Sequence, residues 1–426
     1  MKKLALLFLL FPVFLFADEG TTLVIPPFEH CWGIHKGTEK KLKLLLGEDK
    51  NFNDPQGLSC VKLFAWDDTT TDEDDDELTV YGVNSGNNEI IYNNSMRSLG
   101  IWGNRYGSEV KLSSPKGIAA DPEGNVYIAD CGNHRVVHLK NDGKKLHLVN
   151  IIADSILSAP FDVALDSKGF LYITDTVKSA IFKFSPDGGF ITTIGEGLLR
   201  SPKGIDVVDM EERWHYYNEE FIAVVDSFST RVVRLSMDGQ LEKRISSSDY
   251  FASPVEFNYL ALDYMNDVWV TDRVNHTIHK FDHNLNFLTI FGGYGTNNGQ
   301  FVEPRGICIW RRYGQTFISE RIGAQYFWIG TDVESLYVKK DGDRLRISYT
   351  LTERSLVTVE ILDKKGKKRL ATLIDKTVLK AGRRTAIWHI PRKYLSRGEV
   401  LVRVTAEPRY SSKGHLVSKL EKKIKI

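Results

Sequence analysis

The chain has 426 residues, a formal net charge of +1 and 42% hydrophobic residues. That length exceeds one compact core, so two or three domains are expected. The balance is uneven: residues 332–426 hold 24 Lys+Arg against 11 Asp+Glu, while residues 18–331 hold 30 against 44. An acidic body repels phosphate backbones, which excludes nucleic acid as a partner for it.

The first segment reads as an export signal: Lys2 and Lys3, an apolar run from Leu4 to Phe16, and a small residue, Ala17, before Asp18. The apolar run is too short for a membrane span, which needs about 20 residues, and no later segment suits one. The expectation is signal peptide 1–17, then an N-terminal segment 18–39, in a protein exported to the periplasm, cell surface or exterior. Export permits disulfides, yet Cys31, Cys60, Cys131 and Cys308 are too few for a disulfide framework. A Cys31–Cys60 bridge and four free thiols are both compatible with the sequence.

From residue 40 onward one line is written six times. Its fullest copy runs from Pro115-Lys116-Gly117-Ile118 through Asp121 and Gly124 to Val126-Tyr127-Ile128-Ala129-Asp130, then Asn133-His134-Arg135. The equivalent ends are Asn84, Asp130, Asp175, Asp226, Asp272 and Glu320, spaced 46, 45, 51, 46 and 48 residues apart. Each copy holds four short apolar stretches separated by turn residues, as in Phe161–Leu165, 170–174, Ile181–Phe184 and Phe190–Ile194. Four-strand units at this period predict a β-propeller of six blades over 40–331. The sixth copy lacks an outer strand after residues 325–329, and Lys41–Leu46 is expected to supply it and close the ring.

These copies resemble the NHL repeat on the Pro-x-Gly-Ile start, the Asn125–Asp130 core and the Asn133-His134-Arg135 continuation. The resemblance implies a propeller whose relatives include both binding proteins and metal-dependent lyases or lactonases. Asn133-His134 recurs as Asn275-His276, where turn hydrogen bonding or packing is the expected role.

Residues 332–410 alternate as short strands and predict a small Ig-like β-sandwich, so the whole is all-β. The run from Val357 to Gly366, then Leu379, Gly382, Trp388 and Gly398–Val404, is similar to the Ig-like domain of FlgD-type and surface-sorting modules. Residues 411–426 form a basic tail, read either as a sorting end or as a last edge strand.

Two kinds of candidate site emerge. The six rim residues Asn84, Asp130, Asp175, Asp226, Asp272 and Glu320 all sit where a second strand turns into a third. Converging carboxylates would suit calcium, but an Asp at a turn also accepts hydrogen bonds from its own amides. No other cofactor is expected. Two insertions also break the repeat on the opposite face: the acidic run Asp67–Glu77, and Met210–Glu220 with Trp214, Tyr216 and Tyr217. Exposed aromatics of this kind suit a protein or polysaccharide partner, and packing of the rings onto the blade edge is the competing reading. No GxSxG or HExxH motif is present. The sequence therefore favours an exported binding protein over a lyase or lactonase in the channel.

Overall fold

The computed structural model describes residues 20–31, 34–66, 78–95, 98–153, 155–395, 398–410 and 412–426. The export signal and the acidic run Asp67–Glu77 lie outside the described residues. The described residues divide into two compact units, Leu23–Ile329 and Gly330–Ile426, the second also taking in residues 20–22.

In the larger unit every repeat becomes one antiparallel sheet. The second sheet is typical: Ile118–Ala120, Asn125–Asp130, Arg135–Asn141 and Leu146–Ile152 pair in chain order. Glycine ends the first turn in the left-handed region (Gly124, φ 91°), a conformation that costs other residues a clash with their own Cβ. The first strands lie against one another at close range. A Cβ placed on Gly117 would meet Asp162 Oδ1 at 2.2 Å, and one on Gly306 would meet the Gln56 carbonyl oxygen at 2.3 Å. From the first sheet to the fifth, neighbouring sheets bury their facing sides against each other. Val126 and Ile128 pack toward the first sheet, while Tyr127, Ala129 and Val136 pack toward the third. This is a β-propeller.

Closure differs from the expectation. Residues 41–46 are not a strand but part of the helix Glu39–Leu46. Thr38 caps it, its hydroxyl accepting the Lys41 N–H at 3.4 Å, and Glu39 pairs with Lys43 one turn on at 2.8 Å. A side-chain cap plus an i,i+4 pair outweighs a short Lys/Leu alternation. The edge of Gly323–Ile329 is covered instead by Leu23–Val24 and Lys36–Thr38, both antiparallel to it. All four cysteines are free.

The smaller unit has two sheets. One is Val333–Asp341, Arg344–Leu351 and Gly382–His389; the other is Arg369–Leu379, Ser355–Asp363, Glu399–Pro408 and Ser418–Lys425. Leu345, Ile347 and Tyr349 of the first share a core with Val357, Val359, Val402 and Val404 of the second. Residues 411–426, set apart by composition, thus supply an edge strand, alternately half-buried and exposed. Thr21 joins this unit, its hydroxyl donating to the Thr331 carbonyl at 2.7 Å. Among the described residues no helix is long and apolar enough to cross a membrane.

Candidate functional site

The rim residues do not point their oxygens into a common space; each is bound within its own sheet. Asp175 is fully buried and accepts the amides of Ser158 (2.6 Å), Ala159 (2.9 Å), Val177 (3.0 Å) and Lys178 (2.8 Å). Asp130 accepts the Ser113 amide (2.7 Å) and Arg135 Nε (3.0 Å), and Asp226 accepts the Arg200 amide (2.6 Å) and Arg231 Nε (2.7 Å). Asp272 accepts the Glu256 amide at 3.1 Å and the Asn275 side chain at 2.6 Å. Glu320 reaches the Val302 amide at 2.7 Å, and burial raises its carboxyl above the usual range. Asn84 takes the Asn53 amide at 2.7 Å. In every copy the side chain ties the loop leading into its sheet to the end of the second strand. His134 and His276 do a related task between sheets. His276 Nδ1 accepts the Glu303 amide at 3.0 Å, and His134 Nδ1 contacts the Ser158 carbonyl.

The axis itself has three levels. At the rim end, ion pairs link charges from five sheets into one chain: Lys116–Asp54 (3.4 Å), Asp54–Arg305, Arg305–Glu303 (3.3 Å), Glu303–Arg273 (3.2 Å), Arg273–Glu256 (2.5 Å) and Glu256–Lys203 (3.8 Å). Burial lowers the Lys116 and Lys203 ammonium pKa values, and Arg305 Nε is buried without a hydrogen-bond partner. Phe161 of the third sheet interrupts the charges and lies under Lys203, 5.5 Å from its ammonium.

Below this lies a neck. The register position is Gly57, Gly117, Gly204 and Gly306 in four sheets, Asp162 in the third and Tyr259 in the fifth. Tyr259 fills the space the glycines leave: it is 2% exposed, packs on Phe161 at 5.1 Å and donates to Gln56 Oε1 at 3.2 Å. Asp162, which is buried, has its carboxyl pushed well up by desolvation. A glycine repeat invites a reading of close strand approach, but the one tyrosine that plugs the gap stands out only when the copies are aligned in space.

At the third level the channel widens into a cavity of about 720 Å³, on the face opposite the rim. Trp214 from the Met210–Glu220 insertion stands at its wall, with the guanidinium groups of Arg213 and Arg312 4.7 and 5.0 Å from its ring centre. Arg311 crosses the wall to Asp206 (3.0 Å) and Glu212 (3.1 Å). Of the other two aromatics, Tyr217 is used in packing, stacked on His283 at 3.9 Å, whereas Tyr216 remains 42% exposed. Glu219 anchors the insertion to His283 (2.9 Å), Arg234 (3.1 Å) and Asn266 (3.2 Å).

Residues 112–139 match the NHL repeat. Solved structures similar to this chain include virginiamycin B lyase from Staphylococcus aureus, with 15% identity over 58% of this chain and 76% of that one, TM-score 0.42. A gluconolactonase from Xanthomonas campestris shows 14% identity over 69% and 94%, TM-score 0.45. Likeness at that level carries nothing about chemistry.

Proposed function

We propose that this is an exported, non-catalytic binding protein. Its six-bladed NHL-type propeller presents a recognition surface for protein or envelope polysaccharide at the cavity opposite the rim. Its basic C-terminal unit, an Ig-like module similar to FlgD-type sorting domains, anchors or sorts it. The observation that carries the reading is Trp214, a half-buried ring with two guanidinium groups within about 5 Å of it, at the wall of a cavity of about 720 Å³. An aromatic ring beside guanidinium donors at a cavity wall suits a sugar or a peptide side chain. The test is binding of acidic polysaccharides and peptides to the wild type and to Trp214→Ala. The variant should lose binding by about tenfold or more, in line with an aromatic contact residue, while keeping its melting temperature. Unchanged binding would remove this surface from consideration.

The rival reading, a metal-dependent lyase or lactonase, would place calcium or another cation in the channel. The rim oxygens are engaged by backbone amides and arginines, which supports a structural role for them. Elemental analysis with thermal unfolding before and after chelator separates the two readings. The binding-protein reading expects no stoichiometric metal and no change in melting temperature. A bound cation whose removal lowers the melting temperature would favour the enzyme.

A further inference from the structure

Between neighbouring sheets of the propeller, two register positions supply bulk. The first is the residue two before the rim residue: Ile128, Ile173, Val224, Val270 and Ile318 in the second to sixth sheets. In the first three of the interfaces these residues serve, they face the preceding sheet inside close-packed apolar clusters. The second position pairs with the residue just before the rim residue: Val136, Ile181, Val232 and Ile278. Val136, Ile181 and Val232 face the following sheet. At the seam where the sixth sheet meets the first, both positions are emptied. Gly82 stands at the first, and Ala324, paired with Ser319, at the second.

The result is a cavity of about 810 Å³. Leu58, Val80 and Ile91 line one wall and Phe317 and Tyr326 the other, with Leu42 of the helix Glu39–Leu46 over it. Its surface is mainly apolar, and its size falls in the range of small-molecule sites, roughly 300–1,000 Å³. Glycine is not demanded by the backbone at residue 82, which lies in the strand Thr79–Asn84 without a positive φ. A Cβ there would meet the Leu58 side chain at 3.2 Å and, at ordinary contact distance, the Ile91 carbonyl oxygen at 3.9 Å.

Among the described residues the charged side chains that line it are cationic: Lys36 and Lys41 line the cavity and no described carboxylate does, although residues 18–331 are acidic as a whole. Lys36 Nζ donates to the carbonyls of Thr296 (2.6 Å) and Asn297 (2.9 Å). One polar acceptor, Gln315 Oε1, is buried in the wall without a partner.

We propose that this seam is a binding site for a single-chain anionic amphiphile, a long-chain fatty acid, with its alkyl chain between the first and sixth sheets and its carboxylate toward Lys36 and Lys41. An apolar slot gains from burying methylenes, and cations at its margin select an anionic head.

The test is titration of the full mature protein with palmitate, and with hexadecanol as the uncharged control. Palmitate is expected to bind in the micromolar range or better, and more tightly than hexadecanol. Gly82→Ile and, separately, Ala324→Ile restore the side chain that the other sheets carry. Each should weaken palmitate at least tenfold while leaving the near-ultraviolet circular dichroism and melting temperature intact. Two variants are named so that failure of one to fold leaves the other to decide. Lys41→Gln should weaken palmitate but not hexadecanol. Absence of palmitate binding, or binding that both refilled seams retain, would overturn the proposal.

Discussion

Asp175 shows what the recurring acid does: with four backbone amides on one buried carboxylate, its charge is spent on holding two loops to a strand. Replacing it with alanine leaves those donors unsatisfied, and we expect Asp175→Ala to cost about 2–4 kcal/mol. Urea denaturation would measure this, with a loss below 1 kcal/mol arguing against that role. Tyr259 sits in the opposite situation, since its ring fills a neck where four of the other five sheets place glycine. Tyr259→Ala should cost about 3–5 kcal/mol, the range for deleting a buried aromatic ring, read from the same denaturation midpoints. The acids were visible in the sequence because they recur. Tyr259 was not, because nothing in its local neighbours marks it; it matters through Gly57, Gly117, Gly204 and Gly306, each about 50 or more residues away in the chain.

Among the elements, the Met210–Glu220 insertion is held by one acid. Burial favours the neutral form of Glu219, but hydrogen bonds from His283 and Asn266 and the charge of Arg234 outweigh it and lower the carboxyl to about 2. A depressed folded pKa stabilises the state above the unfolded value near 4.3 and is lost as pH falls through about 2. Acidification from pH 5 to 2 should therefore weaken the insertion's attachment by on the order of 2 kcal/mol, reported by Trp214 fluorescence. Glu219→Gln should remove that pH dependence; a persistent transition would assign it elsewhere. The helix Glu39–Leu46 carries a different lesson. Its Lys/Leu alternation reads as a strand at period two, yet Thr38 as cap and the Glu39–Lys43 pair were also present in the sequence. Six residues are too few for periodicity to decide between them.

For the whole molecule, closure rests on the pairing of Leu23–Val24 and Lys36–Thr38 with Gly323–Ile329. Their contact joins residues nearly 300 apart in the chain, so it makes the ring cooperative. A chain beginning at Glu39 exposes that edge and should lose about 2–4 kcal/mol, from a few backbone hydrogen bonds at about 1 kcal/mol each. Calorimetry would show a lower melting temperature, and retention of the full value would mean that closure depends on the side-chain seam alone. That seam is the unusual one, hollowed by Gly82 and Ala324, so the two halves of closure are separable by experiment.

The repeat period, the four-strand unit, the change of charge sign near residue 332 and the candidate aromatics follow from the sequence by itself. Each depends on residues close in the chain or on a pattern copied along it. Tertiary structure decided the rest: which segment closes the ring, where the rim carboxylates spend their hydrogen bonds, how Tyr259 divides the axis, and that Trp214 borders a cavity while Tyr217 packs on His283. These depend on pairings between distant residues, whose partners no local pattern names. Gly82 lies between the two cases. Its departure from the repeat is legible in one line of sequence, but that it faces Ala324 across a gap is known only once the first sheet meets the sixth.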